Sequence, residues 1–90
     1  MATHKSAERE NRRSNARRLR NRARRTRVRN AIKKFRAAVS AGDVQAAKSL
    51  LPTTIALLDR TGRSGAVPMG AADRQKSRLT LALNRLAAGR

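Results

Sequence analysis

The sequence predicts an all-α protein, an up-down-up three-helix bundle with a long, protruding, Arg-rich N-terminal helix. Three observations carry that prediction. No Gly or Pro interrupts the chain before Gly42. Apolar residues recur at three-and-four spacing in three separate stretches, the signature of helices with one packed face. With one Phe and no Tyr or Trp, packing falls to Leu, Ile, Val and Ala, which favours short helices over a β-sandwich. The 90 residues are expected to form a single helical domain of modest self-made stability, because the basic N-terminal segment leaves only part of the chain to build a core.

The first helix is read from about Ser6 to Ala41. Ser6 can cap it, and Glu8 and Glu10 suit the positive end of the helix dipole. At about 1.5 Å per residue it would be about 50 Å long, far more than a small globule needs. Its apolar stripe is Val28, Ala31, Ile32, Phe35, Ala38 and Val39. Extended upstream at about 100° per residue, that stripe meets Arg24, Asn21, Arg17 and Arg13. The face that packs on protein in one half becomes a guanidinium face in the other.

Gly42 supplies the left-handed residue that commonly ends a helix, and Asp43 can cap the next one, so 41–43 reads as a tight antiparallel turn. The second helix runs from about Val44 to Arg60. Val44, Ala47, Leu51, Ile55 and Leu58 lie on one face, which Leu50 and Leu57 widen. Pro52 falls inside it and predicts a continuous axis bent near Leu51. Residues 61–70 hold three of the five glycines and Pro68 and form the main loop. The third helix is expected from about Ala71 to Ala87, with Ala72, Leu79, Leu83 and Leu86 in register and Leu81 and Ala82 beside them.

Catalytic and metal chemistry find no support in the residues. Without Cys there is no disulfide framework, zinc knuckle or thiol nucleophile. His4 is the only histidine, and the five acids form no pair facing one way on a helix. Asp43 serves better as a cap, and Asp59 as an ion-pair partner for a nearby Arg. Gly62 and Gly65 are too few for a phosphate-cradling loop, and no strand precedes them. No enzyme, cofactor, metal or small-molecule substrate is expected. No apolar run approaches the roughly 20 residues that span a membrane. The Arg-rich start imitates an organelle transit peptide, but Ala and Ser are too sparse there for the apolar face such peptides need.

The charge points to the partner. The formal net charge is +18. The first 36 residues hold fifteen Lys or Arg against two acids, a net +13, and the other 54 hold eight against three, a net +5. Arg outnumbers Lys by 18 to 5, and Arg grips phosphate oxygens bidentately where Lys offers a hydrated point charge. Solubility alone does not demand Arg; nucleic acid does. The lack of aromatics argues against single-strand stacking modules. A helix charged on every side suits burial among crowded RNA helices, whereas a lone duplex would engage one side. The rival readings are a histone-like, nonspecific DNA-compacting protein and a cationic membrane-active peptide. The second needs a clean apolar face, which Arg13, Arg17 and Arg24 spoil.

At this point nearly the whole chain resembles a family, the bacterial small-subunit ribosomal protein S-twenty. The resemblance lies in the order and spacing of Lys5-Ser6-Ala7, Asn21, Arg24-Arg25-Thr26, Ile32-Lys33-Lys34, Ala41-Gly42-Asp43, Asp59-Arg60, Gly65, and Arg74 with Lys76-Ser77-Arg78-Leu79. It implies a three-helix bundle that binds 16S ribosomal RNA directly in its 5′ and 3′ minor domains and helps it fold during assembly. The protein would then be a cytoplasmic, monomeric constituent of the small subunit. The residues expected to contact RNA are Lys5, Ser6, Arg9, Arg12, Arg13, Arg17, Arg18, Arg20, Asn21, Arg22, Arg24, Arg25, Arg27, Arg29, Lys33, Lys34, Arg74, Lys76 and Arg78.

The chain also departs from the family. Where relatives carry a basic His-Lys-Asn-Lys stretch at the third helix, this chain reads Pro68-Met69-Gly70-Ala71, and Asp73 adds an acid. Glu8 and Glu10 stand where basic residues are common. The protein is therefore expected to lean harder on its N-terminal helix than its relatives do, with a third helix that starts late. Without a polyanion, the segment before about Arg24 is expected to fray.

Overall fold

The computed structural model describes residues 4–89 as three α-helices: α1 (His4–Ser40), α2 (Val44–Arg63) and α3 (Met69–Ala87). The chain extends 66 × 20 × 15 Å, with a radius of gyration of 17.9 Å. A compact chain of this length would measure about 12 Å. The difference is α1, whose 37 residues span about 55 Å. α2 is the middle element and packs along both neighbours, while α1 and α3 meet only marginally.

The turn between α1 and α2 follows from Gly42, which takes φ 73°. Gly42 N–H donates to the Val39 carbonyl (3.0 Å) and Asp43 N–H to that of Ala38 (2.9 Å). These two bonds are a Schellman closure of α1. Asp43 then accepts from the Ala46 amide at 3.1 Å and starts α2, so one three-residue turn ends one helix and caps the next. α2 runs unbroken through Pro52, which lies on its exposed side.

The core is Val28 and Phe35 of α1, Ala47 and Leu58 of α2, and Leu79 and Leu83 of α3. Ile32, Ala38, Val39, Leu50, Leu51, Leu57, Ala82 and Leu86 pack around it. Phe35 and Leu79 are fully buried and hold the centre. Each such side chain contributes about 1.5–3 kcal/mol by leaving water. Leu81 does not join them. It stands two residues from Leu79, turned away at about 200°, and is 50% exposed.

The helix ends differ from the sequence expectation in three places. α1 is already helical at His4, so Ser6 lies inside it and Glu8 and Glu10 fall in the second turn. Glu8 instead faces His4 Nδ1 at 3.7 Å. α1 is helical without a break from His4, and its contribution to the packed core begins at Val28. α2 runs three residues past Arg60 because Thr61 and Gly62 are buried. The Thr61 hydroxyl donates to the Leu57 carbonyl at 2.6 Å, as Thr54 does to Leu50 at 2.8 Å, and this lets both sit in an apolar interior. A Cβ on Gly62 would meet Met69 Sδ at 2.7 Å and Ala72 Cβ at 3.2 Å, so the missing side chain permits the close approach of α3. α3 starts two residues earlier than expected, not later. Pro68, extended at ψ 138°, sets the N-cap, and its carbonyl accepts from the Ala72 amide at 3.0 Å. The connecting loop is therefore only 64–68.

Candidate nucleic-acid interface

Along residues 4–27 nearly every side chain of α1 is exposed; Ser14, Asn21 and Arg24 are half-buried. Among the described residues no Arg of α1 has a carboxylate within ion-pair distance. At about 100° per residue the guanidiniums cover most of the circumference. They leave one neutral strip, Ala16, Leu19 and Ala23, directly opposite the core-facing side. Leu19 is 66% exposed there. The sequence reading placed charge on all sides and missed this strip, although the helical period already contains it.

The base of the rod is fixed to the bundle. Arg24 Nη1 donates to Asn21 Oδ1 at 3.4 Å, and Arg25 Nη1 reaches the Ala66 carbonyl of the loop at 3.3 Å. Ala66 is buried, so this bond ties α1 to the α2–α3 connection. Thr26 donates to the Arg22 carbonyl at 2.9 Å and stays within its own helix. Arg29, Lys33 and Lys34 continue the exposed basic surface alongside the packed half of α1. Ser6 is exposed near the far end, beside Lys5 and Arg9.

The basic residues of α3 divide into two groups. Arg74 and Arg78 are exposed one turn apart and form a row. Lys76 is turned inward. Its Nζ lies 3.1 Å from Asp73 and 3.2 Å from Asp59, whose other oxygen takes Arg63 at 2.8 Å. Hydrogen bonds to Asp73 and then Asp59 hold the Lys76 ammonium above the ordinary lysine range. Its charge is balanced by two carboxylates, unlike that of its neighbours. Asp59 thus finds the Arg partner expected of it, with Lys76 as a second. Arg60 had not been assigned to the interface, yet it shares a cleft with Arg24 and Arg27 where α2 leaves α1. No spacing in the sequence brings those three together, because the convergence depends on how the helices cross.

No group of three or more His, Cys, Asp or Glu is placed to hold a metal ion, and no helix is long and apolar enough to cross a membrane, among the described residues.

Fold and charge together define a small, basic, helical protein with an exposed cationic rod. Comparison with known proteins makes that class specific. Residues 2–84 match the family described as Ribosomal protein S20. The small ribosomal subunit protein bS20 of Thermomicrobium roseum is 44% identical over 90 residues, covering 100% of this chain and 91% of that protein. Its counterpart from Mycobacterium sp. (strain JLS) is 40% identical over 96% of this chain and 100% of its own length. That of Maridesulfovibrio salexigens is 40% identical over 97% and 100%. The chain belongs to the ribosomal protein S20 family, a structural family of the small subunit of the cytoplasmic ribosome.

Proposed function

We propose that this protein, acting as a single RNA-binding domain, binds 16S ribosomal RNA directly and stabilises its folding as the small subunit assembles. The observation that carries the reading is the rod itself: an α1 whose arginines have no carboxylate partners among the described residues, anchored at one end by a packed bundle. Where RNA helices converge, their phosphates repel. Guanidiniums placed between them neutralise that repulsion and release condensed counterions, which supplies much of the affinity. The bundle fixes the angle at which the rod enters. The contact set is the basic face of α1 from Lys5 to Lys34, with Arg74 and Arg78 extending it. Lys76 contributes least because its ammonium already has two carboxylates. On this reading the 5′ and 3′ minor domains of the RNA are both touched, by one protein copy per subunit.

The test is binding to a folded 16S 5′-domain transcript and to a DNA duplex of equal charge, titrated across salt. RNA affinity greater by orders of magnitude and persisting at moderate salt is the expected result. Coincident curves that collapse together would replace this reading with nonspecific polyanion binding of the DNA-compacting kind.

A further inference from the structure

We infer that the junction of α1 and α2 is a built site for a single RNA backbone phosphate, formed by Arg24, Arg27 and Arg60. Arg24, Arg27 and Arg60 line a cleft of about 150 Å³, with Leu57, Thr61 and Ser64 completing its wall.

The only counterweight to the charge of the cleft is the negative end of the α2 dipole. None of the three arginines has a carboxylate within ion-pair distance among the described residues. The acid next to Arg60 in sequence, Asp59, is already held by Arg63 and Lys76. Asp43 caps the opposite end of α2. Three cations facing one small space repel each other unless an anion joins them.

The C-terminal carbonyls of α2 would be the natural local acceptors, and they are occupied. Ser64 N–H donates to Arg60 O (3.0 Å), Gly65 N–H to Gly62 O (3.2 Å), the Ser64 hydroxyl to Thr61 O (2.9 Å) and the Thr61 hydroxyl to Leu57 O. Among the described residues no side-chain hydrogen bond engages Arg27 or Arg60, and Arg24 uses one donor on Asn21. Both hydroxyls at the cleft are engaged, so recognition falls to the guanidinium forks, which match phosphate and not the hydroxyls of a sugar. Asn21 positions Arg24 through one of its five N–H groups and leaves the others available.

Because the site draws on two helices, an anion seated there favours the state in which α1 and α2 are packed. The identity of the anion as RNA rests on the proposed function; the anion site does not. The experiment uses the full chain and the variants Arg60→Met and Arg27→Met, with Arg36→Met as a charge-matched control on exposed α1. Thermal unfolding is followed in inorganic phosphate and in chloride at equal ionic strength, and affinity for the 16S 5′-domain transcript is followed across salt. Phosphate is expected to raise the midpoint of the parent and of Arg36→Met by a few degrees, and to leave Arg60→Met and Arg27→Met unmoved. The salt slope for the transcript is expected to fall by about one in the two site variants only. If site variants and control behave alike in both measurements, the inference is overturned, while RNA preference by the parent would keep the proposed function intact. A phosphate-specific shift with an unchanged RNA slope would make the cleft a free-phosphate site and overturn the assignment to RNA. If the parent prefers the transcript no more than a DNA duplex, the proposed function fails, and the phosphate shift alone decides the site.

Discussion

Residues 28–40 and residues 4–27 share one helix, one period and one backbone geometry, yet they answer to different forces. In the first, Val28 and Phe35 are buried and Ile32, Ala38 and Val39 pack around them, so apolar burial fixes the helix. In the second, the same register carries Arg24, Arg17 and Arg13, and none of these residues belongs to the packed core. A helix is therefore not a unit of stability. Its secondary structure can run unbroken while the free energy that holds it changes from packing to bare propensity.

Amide exchange should show the widest gap between the two. Amides of 31–39 are expected to open only with global unfolding, and those before Arg24 to exchange by local opening at close to zero free energy. Equal protection in both halves of the free protein would erase the contrast. Phe35→Ala should cost about 3–5 kcal/mol, a large share of what a small domain possesses, and a circular-dichroism melt would show the cooperative transition lost. Replacing Arg13, Arg17 and Arg20 with Gln should do the reverse. Affinity for 16S RNA falls by one or more orders of magnitude and its salt slope by about three, while the melting midpoint holds or rises as self-repulsion falls. A midpoint that drops as for Phe35→Ala would mean that the rod supports the bundle after all.

At the turn from α1 into α2, Asp43→Ala should cost about 1 kcal/mol by uncapping α2, with Asp43→Asn retaining most of it. The smallest effect concerns Lys76. Its folded-state pKa is raised, so the stability it confers is complete at neutral pH and up to its unfolded pKa. It is lost only as pH climbs through the higher folded value. A Lys76→Met variant should therefore lose the part of the parent's alkaline destabilisation that lies above the ordinary lysine range. Identical pH profiles for the two proteins would remove Lys76 from the account.

What the sequence made legible follows the same division. Local rules suffice wherever one residue decides: Gly42 must turn, Asp43 must cap, and Phe35 must be buried. They fail where two helices decide together. Gly62 carries a loop signal in isolation, but it lies inside α2 because Met69 and Ala72 need the space its side chain would fill. Thr61 looks like loop polarity until its hydroxyl is seen bonded to Leu57 within the helix. Lys76 cannot be told from Arg74 and Arg78 by spacing, since Asp59 comes from another helix. The cleft of Arg24, Arg27 and Arg60 is hidden for the same reason. The abundance of Arg revealed what kind of partner to expect, not where its atoms would sit.

The position of α2 between its two sequence neighbours bears on speed. Each helix packs chiefly on the one that precedes or follows it, so few long loops must close before native contacts form. Chains built this way fold in microseconds to milliseconds. On the timescale at which a long RNA finds its own tertiary partners, this bundle is ready from the outset, and waiting falls to the nucleic acid.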